Sequence, residues 1–179
     1  MNSEKVFVWD LPTRLFHWSL ATSFVVTFVT QESEHWRNIH VMAGYVMAGL
    51  IAFRLLWGFI GSQHSRFADF WPTLENLKTY LGSLLTRHPK HYVGHNPAGA
   101  LAIFALLGLG VAASGSGWLT YQDIGGHFME ELHEVTANGM LVVVGIHVLG
   151  VIVTSKMHGE NLVRAMITGW KAKRESTAG

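Results

Sequence analysis

Four stretches of this chain are each apolar over the roughly 20 residues that a helix needs to cross a bilayer. They run from about Pro12 to Thr30, Ile39 to Ile60, Pro97 to Trp118 and Leu132 to Thr154. A soluble bundle would have to bury four nearly all-round apolar helices within 179 residues, so the pattern points to lipid as their solvent. Composition agrees, because only 14% of the residues are charged against the roughly 25% usual for a soluble domain. The expected fold is all-α, an integral membrane four-helix bundle forming one domain over residues 1–179. Pro12 and Pro97 fall near helix starts, where a missing N–H costs least. Glycine and alanine run through the last three stretches, as close helix packing in lipid favours.

The connecting segments orient the bundle. If the N-terminus, residues 61–96 and the C-terminal tail share one side, that side holds 12 of the 13 Lys and Arg residues. The other side holds Arg37 with six acids: Glu32, Glu34, Asp123, Glu130, Glu131 and Glu134. The positive-inside rule then makes both termini cytoplasmic. The acids Glu4 and Asp10, with no small-residue cleavage site after the first stretch, argue for its retention as a span rather than removal as a signal peptide. Residues 72–85 and 160–173 read as amphipathic helices, either lying at the cytoplasmic membrane interface or docked on the protein's own surface. The net charge of +1 argues against a nucleic-acid partner.

The cysteine count is zero, which excludes disulfides, thiolate metal sites and covalently attached haem. Histidine is plentiful instead, with 11 copies. His133 and His147 sit fourteen residues apart, about 40° short of four helical turns, so they share one face about 21 Å apart along the axis. With alternating span directions, His133 lies near the outer surface and His147 toward the cytoplasm. His40 begins the second span at the outer depth, and His17 sits one turn inside the first span at the inner depth. The expected pairs are therefore His17 with His147 and His40 with His133.

Stacked imidazole pairs between apolar helices suit two haem b groups with histidine on both axial positions. Gly44 and Gly145, close to ligands, leave room for a ring. Arg14, one turn before His17, is positioned to pair with haem propionates. An iron with both axial positions filled carries electrons rather than binding substrate. The competing explanation is a metal or proton path, which usually brings carboxylates into the spans; these spans have almost none. A haem-free membrane scaffold or metal-binding protein remains the reading from a different class. His64, Ser65 and Arg66 follow the second span where a quinone headgroup could approach the inner haem. His88, His91 and His95 form a loop group read as solvated, with metal binding as the alternative, and His35, His127 and His158 read as surface residues.

The segments "VWDLPTRLFHWSL", "AGYVMAGLIAFRLLWGFIGSQHSRF", "GHNPAGAL", "GWLTY", "LHEVTANGMLVVVGIHVLGV" and "HGENLVRAMITG" together resemble the bacterial cytochrome b561 and nickel–iron hydrogenase b-type cytochrome superfamily. The resemblance covers nearly the whole chain. It implies a four-helix, di-haem protein of the bacterial inner membrane that exchanges electrons with the quinone pool of a respiratory chain. Its ligand pattern falls on His17, His40, His133 and His147.

Within that superfamily the partner differs. The main expectation is an electron carrier between quinone and a periplasmic redox protein such as a cytochrome c, and the "HGENLVRAMITG" ending resembles members associated with small di-haem c cytochromes. The chain is shorter than a dedicated hydrogenase subunit would be. The acidic stretch "QDIGGHFMEELHE" offers a docking face for a basic partner, or else a solvated rim that complements a helix dipole. A superoxide:ubiquinone oxidoreductase is the alternative activity. Its anionic substrate would meet an acidic outer face with Arg37 as the one cation there.

Overall fold

A computed structural model describes residues 5–84, 86 and 90–172 and is mostly helical. The elements, in chain order, are β1 (Lys5–Phe7), α1 (Leu11–Thr30), α2 (Arg37–Ile60), α3 (Leu74–Leu84), α4 (Pro97–Tyr121), α5 (Gly126–His158), α6 (Leu162–Thr168) and β2 (Trp170–Ala172). Short 3₁₀ turns at Glu34–Trp36, Gln63–Ser65 and Phe67–Asp69 carry the chain into α2 and out of it.

Side chains set the helix starts. Asp10 caps α1 by accepting from the Thr13 amide at 2.7 Å, with Pro12 in the first turn. Asn96 caps α4 by accepting from the Gly99 amide at 2.7 Å, followed directly by Pro97. Gly159 closes α5 in the left-handed region at φ 59, which a side chain would strain. α5 is the longest helix at 33 residues, about 50 Å, so its ends project beyond a hydrocarbon core of about 30 Å.

Among the described residues three helices are long and apolar enough to cross a membrane: Glu34–Ile60, Pro97–Tyr121 and Gly126–His158. In their most apolar windows only 11–22% of residues are buried inside the protein, so most apolar side chains face outward. Water cannot be the solvent of such a surface. α1 was expected as a fourth span but is not among the three. Arg14, His17 and six Ser or Thr residues dilute its hydropathy. Two of its hydroxyls are satisfied within the helix, Thr27 donating to the Phe24 carbonyl and Thr30 to that of Val26. Its outward residues, Leu15, Val25 and Val29 among them, are exposed like those of the other long helices.

α1 packs on α2, α2 on α4, and α4 on α5, with α3 against α4. Phe16, Ile51, Phe67, Phe70, Ala100 and Leu107 form the main buried cluster at the end of α2. The buried Arg54 guanidinium lies over the Phe67 ring at 4.8 Å from its centroid.

The expectation of an all-α chain needs one correction. β1 and β2 pair antiparallel, Val6 opposite Lys171, and the amides of Val8 and Trp9 both donate to the Gly169 carbonyl. The two ends of the described chain therefore meet on one side. The helix expected over 160–173 is shorter than expected for the same reason. Gly169 sits at φ 87 against the Trp9 carbonyl, where a Cβ would lie 2.7 Å away, and it turns the chain from α6 into β2. The helix expected over 72–85 is α3, with residue 85 outside the described residues.

Candidate haem sites

The outer site is built by α2, α4 and α5. His40, in the first turn of α2, faces His133 in α5 with ring centroids 6.1 Å apart. The Nδ1 of His40 lies 3.0 Å from the Thr27 carbonyl, and the Nδ1 of His133 lies 2.9 Å from the Ala113 carbonyl. A carbonyl oxygen only accepts, so each Nδ1 is the protonated nitrogen and each Nε2 keeps its lone pair. That is the tautomer a metal ion requires.

Both histidines line a cavity of about 580 Å³ together with Arg37, Gly44, Tyr45, Gly117 and Thr120. Nothing lies within 4 Å of where a Cβ on Gly44 would be, so this glycine leaves open space. Gly117 acts differently. A Cβ there would stand 2.8 Å from two atoms of the His133 ring, so its absence lets that ring lie against α4. The Thr120 hydroxyl is buried without a hydrogen-bond partner.

The inner pair joins the two outermost helices. His17 of α1 faces His147 of α5 with ring centroids 6.5 Å apart, and the Nδ1 of His17 is buried without a partner. Gly145 has nothing within 4 Å of its Cβ position. Arg14 donates through Nη1 to the Ile167 carbonyl of α6 at 2.5 Å, while its Nε is buried and unpartnered.

The residues expected near a quinone are differently employed. Ser65 is wholly buried and bonds to Asp10 and Thr13 at 3.0 and 2.7 Å, so it has no surface to offer a headgroup. His64 pairs with Asp69 at 3.0 Å, and Arg66 is exposed. The loop histidines depart from the expectation of solvation. His91 contacts Glu160 at 2.7 Å, and Glu160 also pairs with the buried Lys171 at 3.6 Å. Lys171 in turn donates to the carbonyls of Tyr92 and Val93. His95 is packed between the tilted rings of Trp9 and Phe70, with centroids 4.5 and 4.3 Å away. Burial, and then the nearby Arg54 and Lys171, push its pKa down to about 3, so it is neutral at pH 7. His158, also read as a surface residue, is buried against the His91 ring. His88 lies outside the described residues. Among the described residues, no group of three or more His, Cys, Asp or Glu side chains is placed to hold a metal ion.

Asp10 was missed as the centre of a network. Beyond capping α1, it accepts from Trp57 at 3.1 Å, from Ser65 at 3.0 Å and from Ser62. Burial alone would raise its pKa, but the hydrogen bonds from Ser62, Thr13 and Trp57 outweigh that and hold it at about 2. A signal was present in "WDLPT", where an aspartate two residues before a proline marks a helix start. The acidic stretch over 122–134 is a loop only as far as Gly125, and Glu130, Glu131 and Glu134 stand on the first turns of α5.

A helical protein with apolar outer faces and facing imidazoles inside is an integral membrane protein of the cofactor-binding kind. A family model described as prokaryotic cytochrome b561 matches residues 8–169, and the chain belongs to that family. The probable Ni/Fe-hydrogenase B-type cytochrome subunit of Bradyrhizobium diazoefficiens is 26% identical, over 95% of this chain and 87% of the relative. Its namesake in Azotobacter vinelandii is 28% identical over 93% of this chain and 88% of the relative. That of Azotobacter chroococcum is 32% identical over 66% and 60%. No solved structure gives a significant match.

The chain is thus a membrane b-type cytochrome, an electron carrier that uses haem b and works with a redox partner. The residues present fit that group. A metal about 2 Å from a nitrogen of each imidazole puts the two ring centroids roughly 6 Å apart, close to the 6.1 and 6.5 Å found. The outer cavity also has the size of a cofactor pocket, which runs from about 300 to 1,000 Å³.

Proposed function

We propose that this protein holds two haem b groups and passes electrons between the quinone pool and a periplasmic redox protein across a bacterial inner membrane. The observation that carries the reading is the pair of facing imidazole sets, at 6.1 and 6.5 Å, stacked fourteen residues apart along α5. His40 and His133 would hold the outer haem, and His17 and His147 the inner. Each iron, when bound, supplies a one-electron Fe(III)/Fe(II) couple. The residues supply the rest. Carbonyls of Thr27 and Ala113 hold the outer imidazoles in the ligating tautomer. Arg37 and the unpartnered Thr120 hydroxyl line the outer cavity, where they complement propionates.

In this reading α1 is the fourth span and the whole chain is one domain. The meeting of β1 with β2 supports termini on a common side, and the Lys and Arg distribution makes that side cytoplasmic. The inner pair, His17 and His147, would then serve exchange with quinone, and the outer pair, His40 and His133, exchange with the partner. A cytochrome c suits the acidic outer face, and the relatives' names add a hydrogenase as another partner of the same redox kind.

The test is a dithionite-reduced minus oxidised spectrum of detergent-purified protein, with a pyridine haemochrome count. The expected result is two haem b per chain in the parent, falling to one in variants of either pair. One haem per chain in the parent, or a count unchanged in the His17 and His40 variants, would overturn the assignment.

A further inference from the structure

The groove between the start of α1 and α6 lies one turn from His17 and shares no lining residue with the outer cavity. It holds about 340 Å³ and is lined by Leu11, Arg14, Leu15, Trp18, Ser19 and Ile167. Leu11, Leu15 and Ile167 are each more than half exposed, so the groove opens on the face the protein turns to lipid. Inside it the Arg14 side chain is fastened at one end only. Nη1 donates to the Ile167 carbonyl, while Nε is buried with a proton and no acceptor. An unmet donor of a charged group in an apolar setting costs free energy unless a ligand supplies the acceptor. Trp18 forms the wall toward the inner site, its ring 5.1 Å from that of His17, and its indole N–H is spent on the Met166 carbonyl.

The geometry points to this groove as the quinone headgroup site, with the half-buried Arg14 guanidinium donating to one carbonyl of the headgroup and the Ser19 hydroxyl to the other. The inference rests on the quinone-linked reading above and locates its site. Four features select a quinone as the occupant. The opening faces the hydrocarbon, from which a lipid-soluble ligand arrives. The walls are an indole and aliphatic side chains, which suit a flat ring. Arg14 and Ser19 put two polar groups into an otherwise apolar lining, one for each carbonyl of a para-quinone. Finally, Trp18 of the groove lies against His17, one of the two residues that would hold the inner haem. The site expected from the sequence at the end of α2 lacks such an opening at Ser65, which is consumed by Asp10 and Thr13.

The reaction there is quinone plus two electrons and two protons in equilibrium with quinol. The electrons would pass singly by way of the group that His17 and His147 hold, to or from the periplasmic redox protein. The protons exchange with cytoplasmic water at the Leu11 end of the groove, the start of α1. Arg14 stays protonated throughout, so it binds and polarises the carbonyl without carrying a proton.

The experiment measures haem reduction by a short-chain ubiquinol analogue in purified holoprotein, beside reduction by an outer-sphere ruthenium(II) ammine as a quinone-independent donor. Arg14→Gln and Ser19→Ala should each raise KM for the quinol roughly tenfold, with the haem spectrum, midpoint potentials and ruthenium rate unchanged. Since Arg14 also fastens α6, Ile167→Trp serves as a third variant. It fills the groove while its backbone carbonyl still accepts from Arg14, and should abolish the quinol reaction alone. An azido-quinone should label residues 11–19 and 162–168 in the parent protein.

Labelling of residues 63–69 instead, or an Arg14→Gln protein with a shifted inner-haem potential and an unchanged KM, would overturn the site. The latter result would give Arg14 to a propionate. Parent haem that the ruthenium donor reduces and no quinol does would overturn the quinone-linked reading itself, and this site with it.

Discussion

Gly117 works by what it lacks. Its missing side chain leaves His133 free to lie against α4 and reach the Ala113 carbonyl one turn earlier. Gly117→Ala brings a Cβ to within 2.8 Å of the ring, and α4 cannot retreat because Gly110 and Ala113 already pack tightly there. The ring must rotate and give up its orienting hydrogen bond, which in metal sites costs about 10- to 100-fold in affinity. The expected result is selective loss of the outer haem on dilution, with the inner haem retained, seen as a halved haemochrome count. Asp10 shows the opposite economy, with one carboxylate serving several donors. Asp10→Asn keeps an N-cap residue but puts a weaker acceptor before Trp57, Ser62 and Ser65. It should destabilise the detergent-solubilised protein by roughly 2 kcal/mol at pH 7. The folded pKa, about 2, is below the ordinary 3.8. The carboxylate's contribution is therefore complete above pH 4 and lost as pH falls through 2. Thermal melts of parent and variant should accordingly be well separated at pH 5 and converge toward pH 2; a constant separation would show that the charge is not what matters.

α5 gives both imidazole pairs their spacing, because one uninterrupted helix carries His133 and His147. One alanine inserted between Met140 and Leu141 turns everything after it by about 100° and moves it about 1.5 Å. His147 then leaves His17, while His133 keeps its place opposite His40. One haem should remain, with a spectrum matching that of a His17 variant; two retained haems would mean the pairs do not depend on a shared helix face. Much at this scale is legible in the sequence, because helical period and span direction place the four histidines by angle and depth without long-range detail. Pro12, Pro97 and the long apolar runs locate the helices to within a few residues at most ends. The start of α5 is the exception, since Gly125 and Gly126 begin the helix well before its apolar run. The ribbon of β1 and β2 is illegible for a physical reason. Three residues carry no usable period, and their partners stand at opposite ends of the chain. His95 and Ser65 read as loop residues because nothing local announces that Trp9, Phe70 and Asp10 will fold over them.

At the scale of the whole molecule the two faces differ in charge, and in the proposed reading each face serves a different exchange partner. Among the described residues, the face bearing β1, β2 and α6 carries most of the cations, several already committed. Lys171 holds Glu160 and the 92–93 carbonyls, Arg54 lies on Phe67, and Arg14 fastens α6. The opposite face carries Glu130 and Glu131 on the first turns of α5, both well exposed and paired, among the described residues, with the still more exposed His127 at 3.5 and 3.2 Å. Such pairs hold little energy in water, so these carboxylates keep their field for an approaching partner. Neutralising both, Glu130→Gln with Glu131→Gln, should leave folding and the quinol reaction unchanged. It should slow electron exchange with a basic cytochrome c several-fold at low ionic strength. Since exposed charges are screened over about 10 Å at 0.1 M salt and about 3 Å at 1 M, the parent and double-variant rates should converge as salt is added. Stopped-flow oxidation of the reduced protein over a salt series reads this directly. A ratio that stays constant with salt would mean that these carboxylates steer nothing, leaving them as a rim that serves the dipole of α5.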